Sequence, residues 1–362
     1  MKECPHPGDI EGQFLVDVAR AFVGGRGTLA APEPMNWARL ERLAAANRLM
    51  PVLMQVVDGR QIPACVHQRW TALQIGVDLH YQRARNAAIH VCGALQAAGI
   101  PSALTRGMAL AEWVYREPSL RPMVDADVLV PSTARHRVLD ALAGARFGTP
   151  KRLRSQFAYQ VDGVVFEIHW CFLTPKRYRD IADWDAWFDR RVRLAAGADL
   201  YRLDATDELI ALLLHGFVHH QLDPLQQWVD VALVSRSDAI DWDHFSRWVE
   251  DAGVGRMLWS ALGMIDELLK LDLQQRCPPL RSEVARPGRG VLAAYVAPLL
   301  GQDCLASFLG RRRHLLWVAP DARRKFAQYL RFFSVDEMGA LARAARPATW
   351  MTRPDGLNRP RA

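Results

Sequence analysis

The sequence predicts an α+β fold in which a small mixed β-sheet core is flanked on both sides by helical regions. Helical periodicity fills the chain before Gly99, strands and helices alternate over roughly residues 85–195, and helical patterning returns beyond Asp204. The expected division is an N-terminal helical region over 1–84, the core over 85–200 and a C-terminal helical region over 201–345. A basic tail over 346–362, rich in Pro and Arg and poor in apolar residues, is expected to be disordered.

The first helix to read clearly begins at Trp37, with apolar residues at 37, 40, 43 and 44 on one face and Asn36 placed to cap it. A Gly/Pro-marked connection over 58–63 leads to a long helix from about Val66 to Ala98, ended by Gly99. Ile100–Leu104 reads as a short strand, followed by Gly107 and an alanine-rich helix through Tyr115. Met123–Val130 is the strongest strand, with a helix after it over about 132–143. Phe157–Val161 and Val164–Phe172 form an expected hairpin turning at Asp162-Gly163. Thr206 is the expected cap of a helix over 207–221, with further helices over 225–235, 243–252 and 257–271. Prolines at 278, 279 and 287 mark a connection to a last helical stretch.

Composition narrows the class. Half of the 362 residues are hydrophobic and 23% are charged, as in ordinary globular proteins. No apolar run reaches the roughly 18 residues a membrane span needs, and the N-terminus lacks the apolar stretch of a signal peptide, so no membrane insertion and a cytoplasmic location are expected. The six cysteines are scattered without a CxxC pair, which argues against a zinc ribbon or a disulfide framework. From residue 311 onward there are twelve Arg/Lys against four Asp/Glu, a balance of +8, while the rest of the chain is close to −1. Any attraction to nucleic acid or an acidic partner would reside in that segment, which reads first as a solvated basic face and loose tail.

The chemistry concentrates in Met123–Val130. Side chains alternate along a strand, so Asp125 and Asp127 share one face while Val124, Ala126, Val128 and Val130 share the apolar other. Aspartate is disfavoured in strands, and two on one face repel each other. A divalent cation, Mg²⁺ or Mn²⁺, is the simplest physical reason to place them there. Val164–Phe172 repeats the design, with Val165, Glu167, His169 and Cys171 on one face. If the two strands are neighbours, Glu167 joins the aspartates, and three carboxylates can hold two metals about 3.5–4 Å apart. Upstream, Thr105-Arg106-Gly107 stands where a strand turns into a helix, a place where backbone N–H groups can receive phosphate.

These residues carry a resemblance. Gly99-Ile-Pro-Ser-Ala-Leu-Thr-Arg-Gly-Met-Ala-Leu-Ala-Glu-Trp-Val-Tyr115 and Leu120-Arg-Pro-Met-Val-Asp-Ala-Asp-Val-Leu-Val130 resemble the bacterial uncharacterised nucleotidyltransferase family of the polymerase β-like superfamily. Phe166-Glu-Ile-His-Trp170 is similar to that family's third-carboxylate strand, and the resemblance runs from about Trp37 to Trp228–Val234. It implies a nucleotidyltransferase core with Asp125, Asp127 and Glu167 as catalytic metal ligands, while the turn at Arg106 and Gly107 and the loop at Arg121 are read from their positions as facing the nucleotide phosphates. It also implies an NTP substrate, ATP taken first, with an acceptor that is a small molecule, peptide, protein or RNA. Arg106 departs from the lysine usual before this glycine, and Met108 from the hydroxyl residue usual after it in the wider superfamily.

The secondary residues have two readings each. Arg121 either neutralises phosphate charge or pairs with a nearby acid. His169 either orients Glu167 and touches the acceptor, or is a core-edge histidine. Asp230 resembles a family position; it faces the cleft or serves helix packing. His215, His219 and His220 lie on one helix, but no Glu completes an HExxH pattern, so a zinc site is not expected. The tryptophans stand at helical spacing beside Leu and Val, which reads as core rather than as nucleic-acid stacking. Alternatives to nucleotidyl transfer are phosphoryl transfer by the same site, an inactive binding protein that keeps the fold, and a nucleic-acid-modifying enzyme recruited through the basic C-terminal segment.

Overall fold

The computed structural model describes residues 9–143, 147–153, 155–171, 173, 181, 183–194, 199–277, 286–302 and 304–319. The segment from residue 320 on, including the expected tail over 346–362, lies outside them. Four helices come first: α1 (Ile10–Gly24), α2 (Trp37–Ala46), α3 (Met50–Val56) and the long α4 (Ala64–Ala97). Asn36 caps α2 as expected, its side chain accepting the Arg39 N–H. Gly99, with φ at +64°, turns the chain out of α4.

The core then runs β1 (Ala103–Thr105), α5 (Gly107–Trp113), β2 (Asp125–Leu129), α6 (Arg135–Ala141), β3 (Lys151–Arg152), β4 (Gln156–Val161), β5 (Val164–His169), β6 (Val192–Arg193) and β7 (Tyr201–Arg202). The strands make one mixed sheet in the order β3-β4-β5-β2-β1-β7-β6. The β4–β5 hairpin turns at Asp162 and Gly163, both with positive φ (51° and 82°), as a two-residue turn requires. The first strand begins at Ala103 rather than Ile100, and Val124 lies just before β2, 63% exposed, instead of joining the apolar face.

Behind the sheet, Ala126, Val128, Phe166 and Ile168 are fully buried against Ala84, Ala87, Ala88, Val91 and Leu95 of α4. Small side chains along that stretch of α4 let the helix lie close to the strands. The other face of the sheet receives a second helical layer: α7 (Ala205–His215), α8 (Leu225–Ser235), α9 (Trp242–Asp251), α10 (Gly255–Leu269), α11 (Arg289–Leu299) and α12 (Leu305–Val318). Its core is shared with the first helices, so Leu15, Leu40 and Leu53 belong to one apolar cluster with Leu209, Trp228, Phe245 and Ile265. Each such burial is worth about 1.5–3 kcal/mol. Trp184 and Trp187 pack edge to face at 4.9 Å within this cluster, in keeping with their reading as core. Among the described residues, no helix is long and apolar enough to cross a membrane.

Two details of α7 correct the sequence reading. Asp204, not Thr206, is the cap: its carboxylate accepts the N–H groups of Thr206 and Asp207 at 2.7 and 2.9 Å. A carboxylate also suits the positive end of the helix dipole. Thr206 sits inside the helix, its hydroxyl accepting the Asp241 N–H instead. The helix expected to reach 221 is α-helical only to His215, and Gly216–His220 opens into a π turn.

Asn47, between α2 and α3, ties the two helical layers together. It is 2% exposed, its amide donates to the carbonyls of Leu43 and Leu299 at 2.9 and 2.6 Å, and its oxygen accepts the Leu225 N–H at 3.0 Å. Asn47→Ala would strand buried polar groups on both layers, so it should lower unfolding free energy by about 2–4 kcal/mol. Urea denaturation checks this; a loss below roughly 0.5 kcal/mol would mean that Asn47 does not hold the layers.

Candidate active site

Strands β2 and β5 run parallel, with Asp125 opposite Val165, Asp127 opposite Glu167 and Leu129 opposite His169. Paired residues share a face, so Asp125, Asp127, Glu167 and His169 all project toward the second helical layer. The ligating atoms of Asp127, Glu167 and His169 lie within 4.8 Å of one another. Nε2 of His169 is 2.9 Å from Oδ1 of Asp127 and 3.4 Å from Oε2 of Glu167. The geometry thus joins Glu167 to the aspartate strand on the expected face.

Electrostatics sort the three acids. Asp125 is half-buried, and burial together with the charges of Asp127 and Glu167 raises its carboxyl above the ordinary value. Asp127 is buried, yet Arg106 and His169 outweigh that burial and hold its carboxyl below the ordinary range. Burial opposes a charged His169, but its hydrogen bonds to Asp127 and Glu167 prevail and raise its pKa.

Arg106 is the centre of the arrangement. Its Nη2 donates to Oδ1 of Asp127 and lies 3.2 Å from Nε2 of His169. Its Nη1 lies 2.6 Å from Nδ1 of His215. Burial, then the charge of Arg106, keeps His215 well below the usual imidazole value, so a neutral ring faces the guanidinium and can accept from it. The backbone is held as firmly: Arg106 has φ at +55°, and its N–H donates to Oε1 of Glu208 at 2.6 Å. The Thr105 hydroxyl donates to the same carboxylate, 3.0–3.1 Å from its two oxygens. Glu208 and His215 are seven residues apart on α7, two helical turns, so one helix face grips Arg106 at both ends.

The remaining residues form a rim. Gly107 opens α5, and a Cβ there would stand 2.9 Å from Nη1 of Arg121. Arg121 is itself fixed, its Nε and Nη2 donating to the two oxygens of Asp230 at 3.3 and 2.7 Å, with the Tyr115 hydroxyl donating to Oδ1 at 2.7 Å. Arg121 is therefore paired with an acid, and Asp230 is that acid, 1% exposed. The π turn brings His220 beside His215, Nε2 to Nε2 at 3.0 Å, and His219 stacks on the same ring at 4.9 Å between centroids. A π turn returns residue i+5 to the line of residue i. Among the described residues the grouped metal-ligating atoms are those of Asp127, Glu167 and His169, and the three histidines at the end of α7 and on its π turn make no such group.

Sequence reasoning missed Glu208, and His215 as a partner of Arg106. The i,i+7 spacing of Glu208 and His215 was present, but nothing local ties it to a strand about a hundred residues earlier.

With this geometry in place, comparison with known proteins adds one finding. Residues 33–270, about two thirds of the chain, match the model of a family described as uncharacterised nucleotidyltransferase. No curated protein and no solved structure matches.

Glu208 supplies a pH test. Burial pushes its carboxyl up to about 7, against the bonds from Arg106 and Thr105 that pull it down. The folded state therefore holds a proton that the unfolded chain releases at the ordinary carboxylate value. Its contribution is complete at acid pH and is lost as pH rises from about 4.5 through about 7. Glu208→Gln removes that titration, so the variant's thermal stability should fall less between pH 5 and pH 8 than the wild type's. Parallel stability profiles for the two proteins would show that Glu208 does not titrate there.

Proposed function

Since the chain belongs to the uncharacterised nucleotidyltransferase family, we propose that it transfers a nucleotidyl group from an NTP, ATP taken first, to an acceptor hydroxyl with release of pyrophosphate. The observation that carries this reading is the β2–β5 register, which sets Asp127 beside Glu167 with Asp125 and His169 on the same face. The donor set suits a divalent cation: two carboxylates and an imidazole converge within 4.8 Å, and Asp125 adds a third carboxylate on the same face. Asp125, Asp127 and Glu167 would hold Mg²⁺ or Mn²⁺, with His169 as an added nitrogen donor or as the partner that orients Asp127. When bound, the ion supplies polarisation of the phosphate and a lowered barrier to deprotonating the hydroxyl.

The chain's own groups then have distinct tasks. Glu167, half-buried at the open side of the pair, takes the acceptor hydroxyl's proton on a carboxylate oxygen. The oxygen–phosphorus bond forms at the α-phosphate as the bond to pyrophosphate breaks. Gly107 keeps side-chain atoms away from the turn that the phosphates approach. Arg121, anchored by Asp230, backs that turn with fixed positive charge. Arg106, expected from the sequence to clamp phosphate, is engaged with Asp127 and His215, so it reaches phosphate only by releasing Asp127.

That engagement is also the observation favouring a second reading, a nucleotide-binding protein without turnover. Phosphoryl transfer would use the same groups with attack at the γ-phosphate. A panel of α- and γ-labelled NTPs with Mg²⁺ or Mn²⁺ separates the three. Transfer of the α-label with pyrophosphate release is expected. Asp125→Asn and Asp127→Asn should each lower it by roughly 10³-fold or more, and Glu167→Gln by roughly 10²–10⁴-fold with little change in nucleotide affinity. Transfer of the γ-label would replace the reaction with phosphoryl transfer. Tight NTP binding without transfer to any acceptor would leave the binding reading.

A further inference from the structure

We propose that Arg48, carried on the turn between α2 and α3, binds the terminal phosphates of the nucleotide. The inference rests on the nucleotide-using reading above and assigns one of its contacts to a residue from outside the strand-bearing core.

Three observations place Arg48 there. The first is the anchoring of its backbone. Asn47 fixes the turn to α8 and α11, and the Gln226 amide donates to the carbonyls of both Arg48 (3.4 Å) and Pro122 (3.2 Å). Pro122 is three residues before Asp125, so one side chain links the turn to the entry of the acidic strand. The second is conformation. Arg48 has φ at +56°, a left-handed conformation that crowds a side-chain-bearing residue and is usually given to Gly or Asn. The third is the state of its side chain. Arg48 is exposed, and among the described residues no hydrogen bond or ion pair engages its guanidinium. The Gln226 bridge holds this residue beside the entry to the acidic strand, and its charge also reaches His220 of the π turn.

The other two arginines beside the acids are already engaged. Arg106 is committed to Asp127 and His215, and Arg121 to Asp230. An NTP adds several negative charges to a place that already holds three carboxylates. A cation at the rim, not tied to a protein acid, offsets that charge without disturbing Asp127. Guanidinium suits this because its planar fork of donors matches two phosphate oxygens at once. A rim position reaches the outer phosphates, whereas the α-phosphate must lie over Asp127 and Glu167.

The test measures dissociation constants for ATP, ADP and AMP, each with Mg²⁺, by calorimetry on wild type, Arg48→Ala and Arg48→Lys, alongside thermal melts. Arg48→Ala should weaken ATP binding roughly ten- to hundredfold, the loss expected for a charge-assisted contact, while AMP binding changes by less than about twofold. Arg48→Lys should fall between wild type and Ala for ATP. The melting temperature should not move, because the side chain is exposed. Equal ATP affinity in wild type and Arg48→Ala overturns the proposal and leaves the nucleotidyltransferase reading standing. Equal losses for ATP and AMP, or a lowered melting temperature, show a structural role and also overturn it. A wild type that binds none of the three nucleotides overturns both.

Discussion

The structure turns on negative charge confined to one face of a small sheet. Asp125, Asp127 and Glu167 project from adjacent strands toward a buried helical layer, where their repulsion is poorly screened. Arg106 offsets part of it through a salt bridge to Asp127, with both side chains about 10% exposed. Much of the surroundings exists to keep that guanidinium in place. Its backbone takes an unfavourable positive φ, stabilised by the Glu208 carboxylate, and its head is received by a neutral His215. Both partners come from α7, whose remaining surface is almost wholly buried in the shared core. A change in that helix is therefore felt at the acids.

This explains why the helical regions are more than supports. The strand-bearing core contributes Asp125, Asp127, Glu167, His169 and Arg106. Helix α7 with its π turn contributes Glu208, His215 and His220, α8 contributes Asp230, and the turn after α2 is tied to the entry of the acidic strand through Gln226. Because the first helices and the last share one apolar cluster, the rim is built across a core assembled from both ends of the chain. Arg121 and Asp230 show the same logic: a loop arginine next to the acidic strand is fixed by an acid on α8, with Tyr115 completing the pair.

What was legible in the sequence was local. The alternation around Asp125 and Asp127, the Asp162-Gly163 turn, the Asn36 cap and the end of α4 at Gly99 all depend on neighbours within a few residues, and the structure agrees with each except at Val124, which precedes the strand and is exposed. The meeting of Glu167 with Asp127 was legible only as a condition, because strand order is a tertiary property. Thr206 was a reasonable cap by type, but Asp204 two residues earlier brings a charge to the helix start and leaves Thr206 for Asp241. Arg106 was read as a phosphate clamp because a basic residue before a glycine turn suggests one. Its partners, Asp127, Glu208 and His215, lie 21 to 109 residues away, beyond any local pattern.

If the carboxylates are a cation site, Arg106 and a divalent ion compete for Asp127. Titrating wild type and Arg106→Gln with Mn²⁺ alone, and following free Mn²⁺ by electron paramagnetic resonance, tests that competition without a nucleotide or acceptor. Removing the guanidinium frees an Asp127 oxygen and makes the site more negative, so Arg106→Gln should bind Mn²⁺ roughly tenfold more tightly than wild type. Unchanged or weaker Mn²⁺ binding in Arg106→Gln, with the fold intact, would contradict the view that these acids form a cation site shared with Arg106.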